Sequence, residues 1–184
     1  MKKYILFFLI FSCFYGQSQK PLLTEDSYNQ KQWVDSVYSK LNIDQKIGQL
    51  FTVWVATKYG DDEIRHISKL IKDHHLGGLI FSLGNIKDQA KAINKFQEIS
   101  KVPLLISMDA EWGIGMRLDD AFSFPYNMTL GAIKNDSLVY NVGKRIGYHA
   151  KRLGVHINFA PVVDINTNPR NPIIGSRSFA SKMP

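Results

Sequence analysis

Short, continuously apolar runs alternate along this chain with longer segments in which apolar residues recur every three to four positions. The short runs predict buried β-strands, and they cover residues 49–55, 77–82, 103–108 and 155–163. The periodic segments predict amphipathic helices over residues 32–41, from Asp61 onward, over 85–100 and over 135–153. Regular alternation of strands and helices is typical of parallel βα units.

Two architectures accommodate such units, an open doubly wound sheet and an eight-fold barrel. The first strand is not followed by a Gly-x-Gly-x-x-Gly turn, and the loops after the strands are polar and differ in length, which favours the barrel. A complete barrel needs roughly 200 residues or more. The chain has 184 residues and shows four units. We therefore predict an α/β fold forming the N-terminal half, about four βα units, of a (β/α)8 TIM barrel.

The first 18 residues differ in composition from the rest. A basic start at Lys2 and Lys3 precedes an apolar core over residues 5–14, and small residues follow at Gly16 and Ser18. This pattern predicts a signal peptide over residues 1–18, because the apolar run is shorter than the roughly 20 residues of a spanning helix. We expect a secreted or periplasmic protein, with a polar tether and helix over residues 19–40 and the partial barrel over residues 41–184.

The only cysteine, Cys13, lies inside the predicted signal peptide, so the mature chain would contain no thiol. The run from Ile10 to Cys13 loosely resembles a lipoprotein box, and a membrane contact is expected only if Cys13 is lipidated. The formal net charge is +7, but the basic residues are dispersed over helical segments. This distribution argues against a nucleic-acid partner.

Two of the predicted strands end in a carboxylate, and each is followed by a loop that contains an arginine. Asp109 precedes Arg117, and Asp164 precedes Arg177. A charge has no packing role at the end of a buried strand, but it suits a polyol site at the carboxyl-terminal mouth of a parallel barrel. A carboxylate accepts hydrogen bonds from sugar hydroxyls, and a guanidinium donates in a fixed fork. The alternative for Asp109 and Arg117 is a surface pair that only stabilises the loop, and the alternative for Arg177 is a salt bridge.

Glu111, Trp112 and Asp164 are candidate supporting residues. Trp112 could stack on a sugar face or pack over the barrel mouth. Retaining glycosidases use two carboxyl groups about 5–5.5 Å apart. Asp109, Glu111 and Asp164 are available for such a pair, and spacing alone does not select among them. No His-Glu-x-x-His or similar ligand spacing occurs, so we predict no metal and no cofactor.

Several motifs occur in an order that resembles the N-terminal barrel of glycoside hydrolase family 3. They are Lys46-Ile-Gly-Gln-Leu-Phe51, Gly77-Gly-Leu-Ile-Phe81, Pro103-Leu-Leu-Ile-Ser-Met-Asp-Ala-Glu111 and Asn158-Phe-Ala-Pro-Val-Val-Asp164. The segment from Asn168 to Phe179 is similar to the β-N-acetylhexosaminidase branch of that family. In place of the Glu-Gly-Gly of many relatives, the chain has Glu111-Trp112-Gly113, which resembles secreted proteins of the Bacteroidetes type. Some of those proteins contain a β-lactamase-like domain after the hydrolase.

The resemblance implies retaining exo-hydrolysis of terminal, non-reducing β-N-acetylhexosamine from peptidoglycan or chitin-type fragments. It also implies that Asp109, Arg117 and Arg177 bind the non-reducing sugar. The family's Lys-His pair, its acid/base histidine and its nucleophilic aspartate would all follow Pro184, so we predict no catalytic residue in this chain. The alternatives are a β-glucosidase of the same family and a secreted, non-catalytic carbohydrate-binding relative.

Overall fold

The computed structural model describes residues 26–180. The predicted signal peptide, Cys13 and the first part of the tether lie outside these residues. The chain divides into two compact units, one ending at Ser39 and one beginning at Lys40. Within residues 26–180, no helix combines the length and the apolar character needed to cross a membrane.

The first unit contains helix α1, Ser27–Tyr38, which begins earlier than predicted. The helix was predicted over residues 32–41, so its predicted start is too late and its predicted end is past Tyr38. Asp26 caps the helix by accepting a hydrogen bond from the backbone N–H of Asn29 at 3.3 Å. Helix α1 has no buried residue, so its first turns have no apolar periodicity for sequence reasoning to detect.

The second unit is built on a four-stranded, all-parallel sheet, in which the strands follow the chain order β1-β2-β3-β4. The strands are β1 Thr52–Val55, β2 Gly78–Phe81, β3 Leu105–Met108 and β4 Ile157–Asn158. Neighbouring strands are also neighbours in sequence, as in a barrel that is wound in one direction. The parallel sheet with helical connections confirms the predicted α/β class.

The connecting helices are α2 Ile43–Gly48, α3 Gly60–His74, α4 Ile86–Ile99, α5 Asn127–Gly131 and α6 Asp136–Arg152. Asparagine side chains cap three of them. Asn42 forms a capping box with Gln45, and Asn85 and Asn135 cap α4 and α6. Short 3-10 helices cover Thr57–Tyr59, Ile114–Met116 and Gly175–Arg177. Helix α5 was not predicted, because five residues are too few to show a helical period.

All four strands are shorter than predicted, and β1 and β4 differ most. Residues 49–51 belong to the end of α2 and its turn, because the Gln49 and Leu50 backbone N–H groups donate to carbonyls within that helix. The predicted strand over residues 155–163 is paired only at Ile157–Asn158. Beyond Phe159 the chain reaches Pro161, which has no N–H for a ladder, and within residues 26–180 β4 pairs only with β3.

The hydrophobic core lies on one face of the sheet. Val55, Leu79, Phe81, Ile106 and Met108 point to that face and are buried against α3 and α4 through the apolar stripes of those helices. Those stripes include Ile67, Ile71, Ile93 and Phe96. The opposite face is open, with Trp54, Leu105 and Ile157 all exposed on alternate positions of the strands.

Candidate functional site

The predicted site residues lie beyond the carboxyl ends of strands β3 and β4. Asp109 directly follows β3, and the Asn158 side chain at the end of β4 joins the two strand ends. Its Oδ1 accepts from the backbone N–H of Ala110 at 2.9 Å, and its Nδ2 donates to the Ala110 carbonyl at 3.2 Å. This pair of bonds fixes the main chain between Asp109 and Glu111.

Asp109 and Arg117 form the first ion pair of the site. Arg117 donates from Nε to the Asp109 carbonyl at 2.9 Å and from Nη2 to Oδ2 at 3.0 Å. The Asp109 side chain is 40% exposed. The hydrogen bonds within residues 26–180 engage only one of its two carboxylate oxygens, Oδ2. The pair therefore orders the loop between β3 and the 3-10 helix while Asp109 still presents an oxygen outward.

Glu111 and Arg177 form the second ion pair, which joins loops 66 residues apart in sequence. Arg177 donates from Nη2 to Oε1 at 2.7 Å, and its Nε lies 3.1 Å from each carboxylate oxygen. The Glu111 side chain is only 2% exposed, whereas that of Arg177 is 36% exposed. The carboxylate is thus buried behind a guanidinium that reaches the surface.

The surroundings of Arg177 favour its charged form. The hydrogen bond to Glu111 is the main reason that the pKa of Arg177 is raised above its ordinary value. The negative charges of Glu111, Asp109 and Asp164 act in the same direction, and desolvation opposes them. All three carboxylates identified from the sequence are therefore close enough to act on Arg177.

The loop that presents Arg177 runs from Asp164 to Ala180 and is closed by hydrogen bonds at its base. The buried Ser178 hydroxyl lies 2.6 Å from the Asp164 carbonyl and 2.7 Å from the Ala180 carbonyl, and the Asn166 N–H donates to the Ala180 carbonyl at 3.0 Å. Asp164 anchors the loop through its main chain, while its side chain is exposed. Asn171 turns the middle of the loop, because its Oδ1 accepts from the N–H of Ile173 at 2.9 Å.

Trp112 packs beside the site and is partly exposed. Its ring meets Tyr126 edge to face, with centroids 4.6 Å apart and an interplanar angle of 66°. Its carbonyl accepts from the Phe124 N–H at 2.9 Å. Packing against Tyr126 is therefore part of its role.

The structure thus groups Asp109, Glu111, Arg117 and Arg177 at the carboxyl ends of β3 and β4, with Trp112 and Asp164 beside them. Three polar residues that support the site were not predicted: Asn127, Asn158 and Ser178. Asn127 is 1% exposed and donates from Nδ2 to the Arg177 carbonyl at 2.8 Å. No spacing rule marks an isolated Asn or Ser, and the pairing appears only once the loops are folded together.

The chain belongs to glycosyl hydrolase family 3, because the model of that family's N-terminal domain matches residues 42–183. This finding confirms the family resemblance drawn from the motifs. The solved structures that match the chain confirm that the sheet is part of the family's TIM-barrel domain.

The relatives include proteins named as β-N-acetylglucosaminidase, β-hexosaminidase and β-glucosidase. The chain is 34% identical over 149 residues to a β-N-acetylglucosaminidase/β-glucosidase from Cellulomonas fimi, covering 81% of this chain and 26% of that protein. It is 36% identical over 127 residues to β-hexosaminidase A from Pseudoalteromonas piscicida, covering 62% and 21%.

Among solved structures, a family 3 β-N-acetylglucosaminidase from Paenibacillus sp. FPU-7 matches with a TM-score of 0.65 and 38% identity, over 76% of this chain and 27% of that one. A β-glucoside phosphorylase matches with a TM-score of 0.76 and 26% identity, over 84% and 28%. The chain therefore spans about a quarter of the length of these relatives.

Proposed function

We propose that this chain is the N-terminal part of a secreted, retaining exo-β-N-acetylhexosaminidase and that it supplies the grip on the non-reducing sugar. The observation on which this rests is the pair of carboxylate–guanidinium contacts, Asp109–Arg117 and Glu111–Arg177, at the carboxyl ends of adjacent parallel strands. A relative named as a β-hexosaminidase, at 36% identity, and a solved β-N-acetylglucosaminidase, at 38% identity, support the substrate class.

The proposed contacts with the sugar follow from the hydrogen-bonding groups that the ion pairs leave unused. Asp109 has one carboxylate oxygen that is not engaged by Arg117, and it can accept from a sugar hydroxyl. A guanidinium has five N–H donors. Arg117 uses two of them on Asp109, so three remain for sugar oxygens. In this proposal the partly exposed Trp112 provides an aromatic surface for a pyranose.

We assign no nucleophile and no acid/base residue to this chain. Glu111 is buried and occupied by Arg177, and Asp109 is held by Arg117, so neither carboxylate is placed as the free member of a catalytic pair. A retaining mechanism needs a nucleophile and an acid/base group. In this proposal both groups lie in a continuation of the protein past Pro184, which would also complete the barrel.

The first test is the activity of the full-length protein on chromogenic glycosides. We expect it to hydrolyse a β-N-acetylglucosaminide with a kcat/KM at least about tenfold above that for the β-glucoside, a difference of about 1.4 kcal/mol in transition-state binding. We also expect the product to retain the β configuration, as proton NMR of the first product anomer would show. An absence of turnover on every glycoside would support the non-catalytic, carbohydrate-binding alternative instead.

A β-glucosidase is the second candidate, because the Cellulomonas relative is named for both activities and the phosphorylase structure matches with the higher TM-score. It predicts the opposite order of kcat/KM. Repeating both assays with and without inorganic phosphate separates hydrolysis from phosphorolysis, since only the latter forms a sugar phosphate.

We further propose that the substrates are peptidoglycan or chitin-type fragments encountered outside the cytoplasm after removal of residues 1–18. A mature N-terminus at Gln19 in the processed protein, read by mass spectrometry, would support export by this signal. A lipid-modified Cys13 would instead place the protein on a membrane.

A further inference from the structure

A carboxylate as deeply buried as Glu111 must be compensated. Its side chain is 2% exposed, and burial of an ionised carboxylate is strongly unfavourable unless hydrogen bonds and an opposite charge replace the lost water. Arg177 supplies both, through contacts of 2.7 to 3.1 Å that reach both oxygens of Glu111. The two residues come from different loops, so each fixes the place of the other.

Asp109 provides a comparison from the same loop. It lies two residues before Glu111, yet its side chain is 40% exposed and the hydrogen bonds within residues 26–180 engage only Oδ2. Asp109 can therefore meet a ligand directly. Glu111 presents no unoccupied oxygen to solvent, so any effect that it has on a ligand must pass through Arg177.

Further hydrogen bonds hold the main chain and the side chain of Arg177. The buried Asn127 donates from Nδ2 to the Arg177 carbonyl at 2.8 Å, and Nη1 of Arg177 donates to the Ile173 carbonyl at 3.3 Å. The next residue, Ser178, closes the base of the loop through its hydroxyl. Few rotamers of Arg177 are compatible with all of these contacts.

These contacts also determine which donors of Arg177 remain. Nε–H and one N–H of Nη2 face Glu111, and one N–H of Nη1 faces Ile173. Two of the five guanidinium donors are left, one on Nη1 and one on Nη2. The N–H left on Nη2 lies on the terminal edge of the side chain, away from Glu111, where it can donate to an acceptor group.

We infer that Glu111 is a positioning residue: it holds Arg177 before substrate arrives, so that the terminal edge of the guanidinium is set to bind an oxygen of the non-reducing sugar. This inference rests on the proposed function. Preorganisation of this kind lowers the entropy cost of binding, because the long arginine side chain is already ordered.

The test is a double-mutant cycle in the full-length protein with Glu111→Gln, Arg177→Ala and both together, assayed on the β-N-acetylglucosaminide. Glu111→Gln should raise KM about 10- to 100-fold, the range expected when a hydrogen bond to a charged group is lost. In the Arg177→Ala background the same change should leave KM within about twofold, because Glu111 acts only through Arg177. Glu111→Asp, which keeps the charge, should restore part of the loss.

Two results would overturn the inference: an unchanged KM in Glu111→Gln, or an equal rise in KM with and without Arg177. If Glu111→Gln does not fold, the wild-type protein still provides a test, because the Arg177 Nε–H should exchange slowly with solvent by nitrogen-15 NMR in the absence of sugar. Rapid exchange there would show that the arginine is not held. A wild-type protein without glycosidase activity would contradict the proposed function. The exchange measurement would still show separately whether Glu111 holds Arg177.

Discussion

Asp109 and Glu111 lie two residues apart in one loop but have different surroundings, and the arginine that each one contacts explains the difference. Arg117 comes from the same loop and leaves Asp109 partly exposed, whereas Arg177 comes from a distant loop and covers Glu111. Sequence spacing treats the two carboxylates alike. The two roles proposed for them, sugar contact for Asp109 and positioning of Arg177 for Glu111, follow from burial, which only the folded loops determine.

Tyr148 illustrates a second effect at the scale of single residues. Arg152 donates to its hydroxyl at 3.1 Å, and the guanidiniums of Arg145 and Arg152 each lie 5.8 Å from the ring centroid. The hydrogen bond and the charge of Arg152, with a smaller contribution from Arg145, lower the pKa of the Tyr148 phenol below its ordinary value. A phenol pKa that is lower in the folded state stabilises the fold only at alkaline pH, and this contribution is lost as the pH falls through the folded-state pKa.

We therefore predict that Arg152→Ala raises the pKa of Tyr148 toward its ordinary value. Because the contribution of this group to stability exists only at alkaline pH, the change in pKa should not alter the free energy of unfolding at neutral pH. The measurement is the phenolate absorbance during an alkaline titration, taken as the difference between each protein and its Tyr148→Phe counterpart. Lys69→Ala, which removes a charge from α3, is the matched control and should not shift the titration. An unshifted Tyr148 titration in Arg152→Ala would contradict the prediction.

At the scale of elements, the sequence predicted best where a pattern repeats over several turns. Helices α3, α4 and α6 were predicted, because an apolar stripe that repeats over several turns is a local signal. Helix α5 and the short pairing of β4 were missed, because five residues carry no period and strand pairing depends on a neighbour. The arginine-bearing loops were located, but the choice of partner for Arg177 could not be read from spacing.

Helix α5 is placed by a close main-chain contact that permits only glycine. A Cβ atom on Gly131 would lie 1.9 Å from the Phe179 carbonyl oxygen, two residues after Arg177. We predict that Gly131→Ala destabilises the full-length protein by about 1–3 kcal/mol, the usual cost of overpacking, and also raises KM because the Arg177 loop must move. Thermal unfolding and steady-state kinetics measure the two effects.

Gly147→Ala in α6 is the matched control, since the added Cβ would have no atom of the described residues within 4 Å apart from its chain neighbours and the backbone of its own helix. It should stabilise the protein by about 1 kcal/mol through helix propensity. A loss of stability in Gly147→Ala would report another segment packed on that side of α6. Unchanged stability and KM in Gly131→Ala would show that the Phe179 carbonyl can move freely and would contradict the prediction.

At the scale of the whole molecule, the main feature is the face of the sheet that the helices of residues 26–180 do not cover. Trp54 is 45% exposed and Leu105 is 55% exposed, on a face that a closed barrel would bury. Exposed apolar surface of this kind favours association or a loosely packed state. The proposed continuation past Pro184 would bury this face as the interior of the barrel.

We predict that residues 19–184 expressed alone aggregate or form a loose globule that binds a hydrophobic dye and lacks a cooperative thermal transition, whereas the full-length protein unfolds cooperatively. The Leu105→Lys substitution should have opposite effects in the isolated chain and in the full-length protein. In the isolated chain the lysine faces solvent and should improve solubility, because it interrupts the apolar face. In the full-length protein the same lysine would be buried without a partner and should abolish folding or lower the unfolding temperature strongly. A cooperative transition with hydrolase activity in the isolated chain, or an unaffected full-length Leu105→Lys protein, would show that this face is not the interior of a barrel.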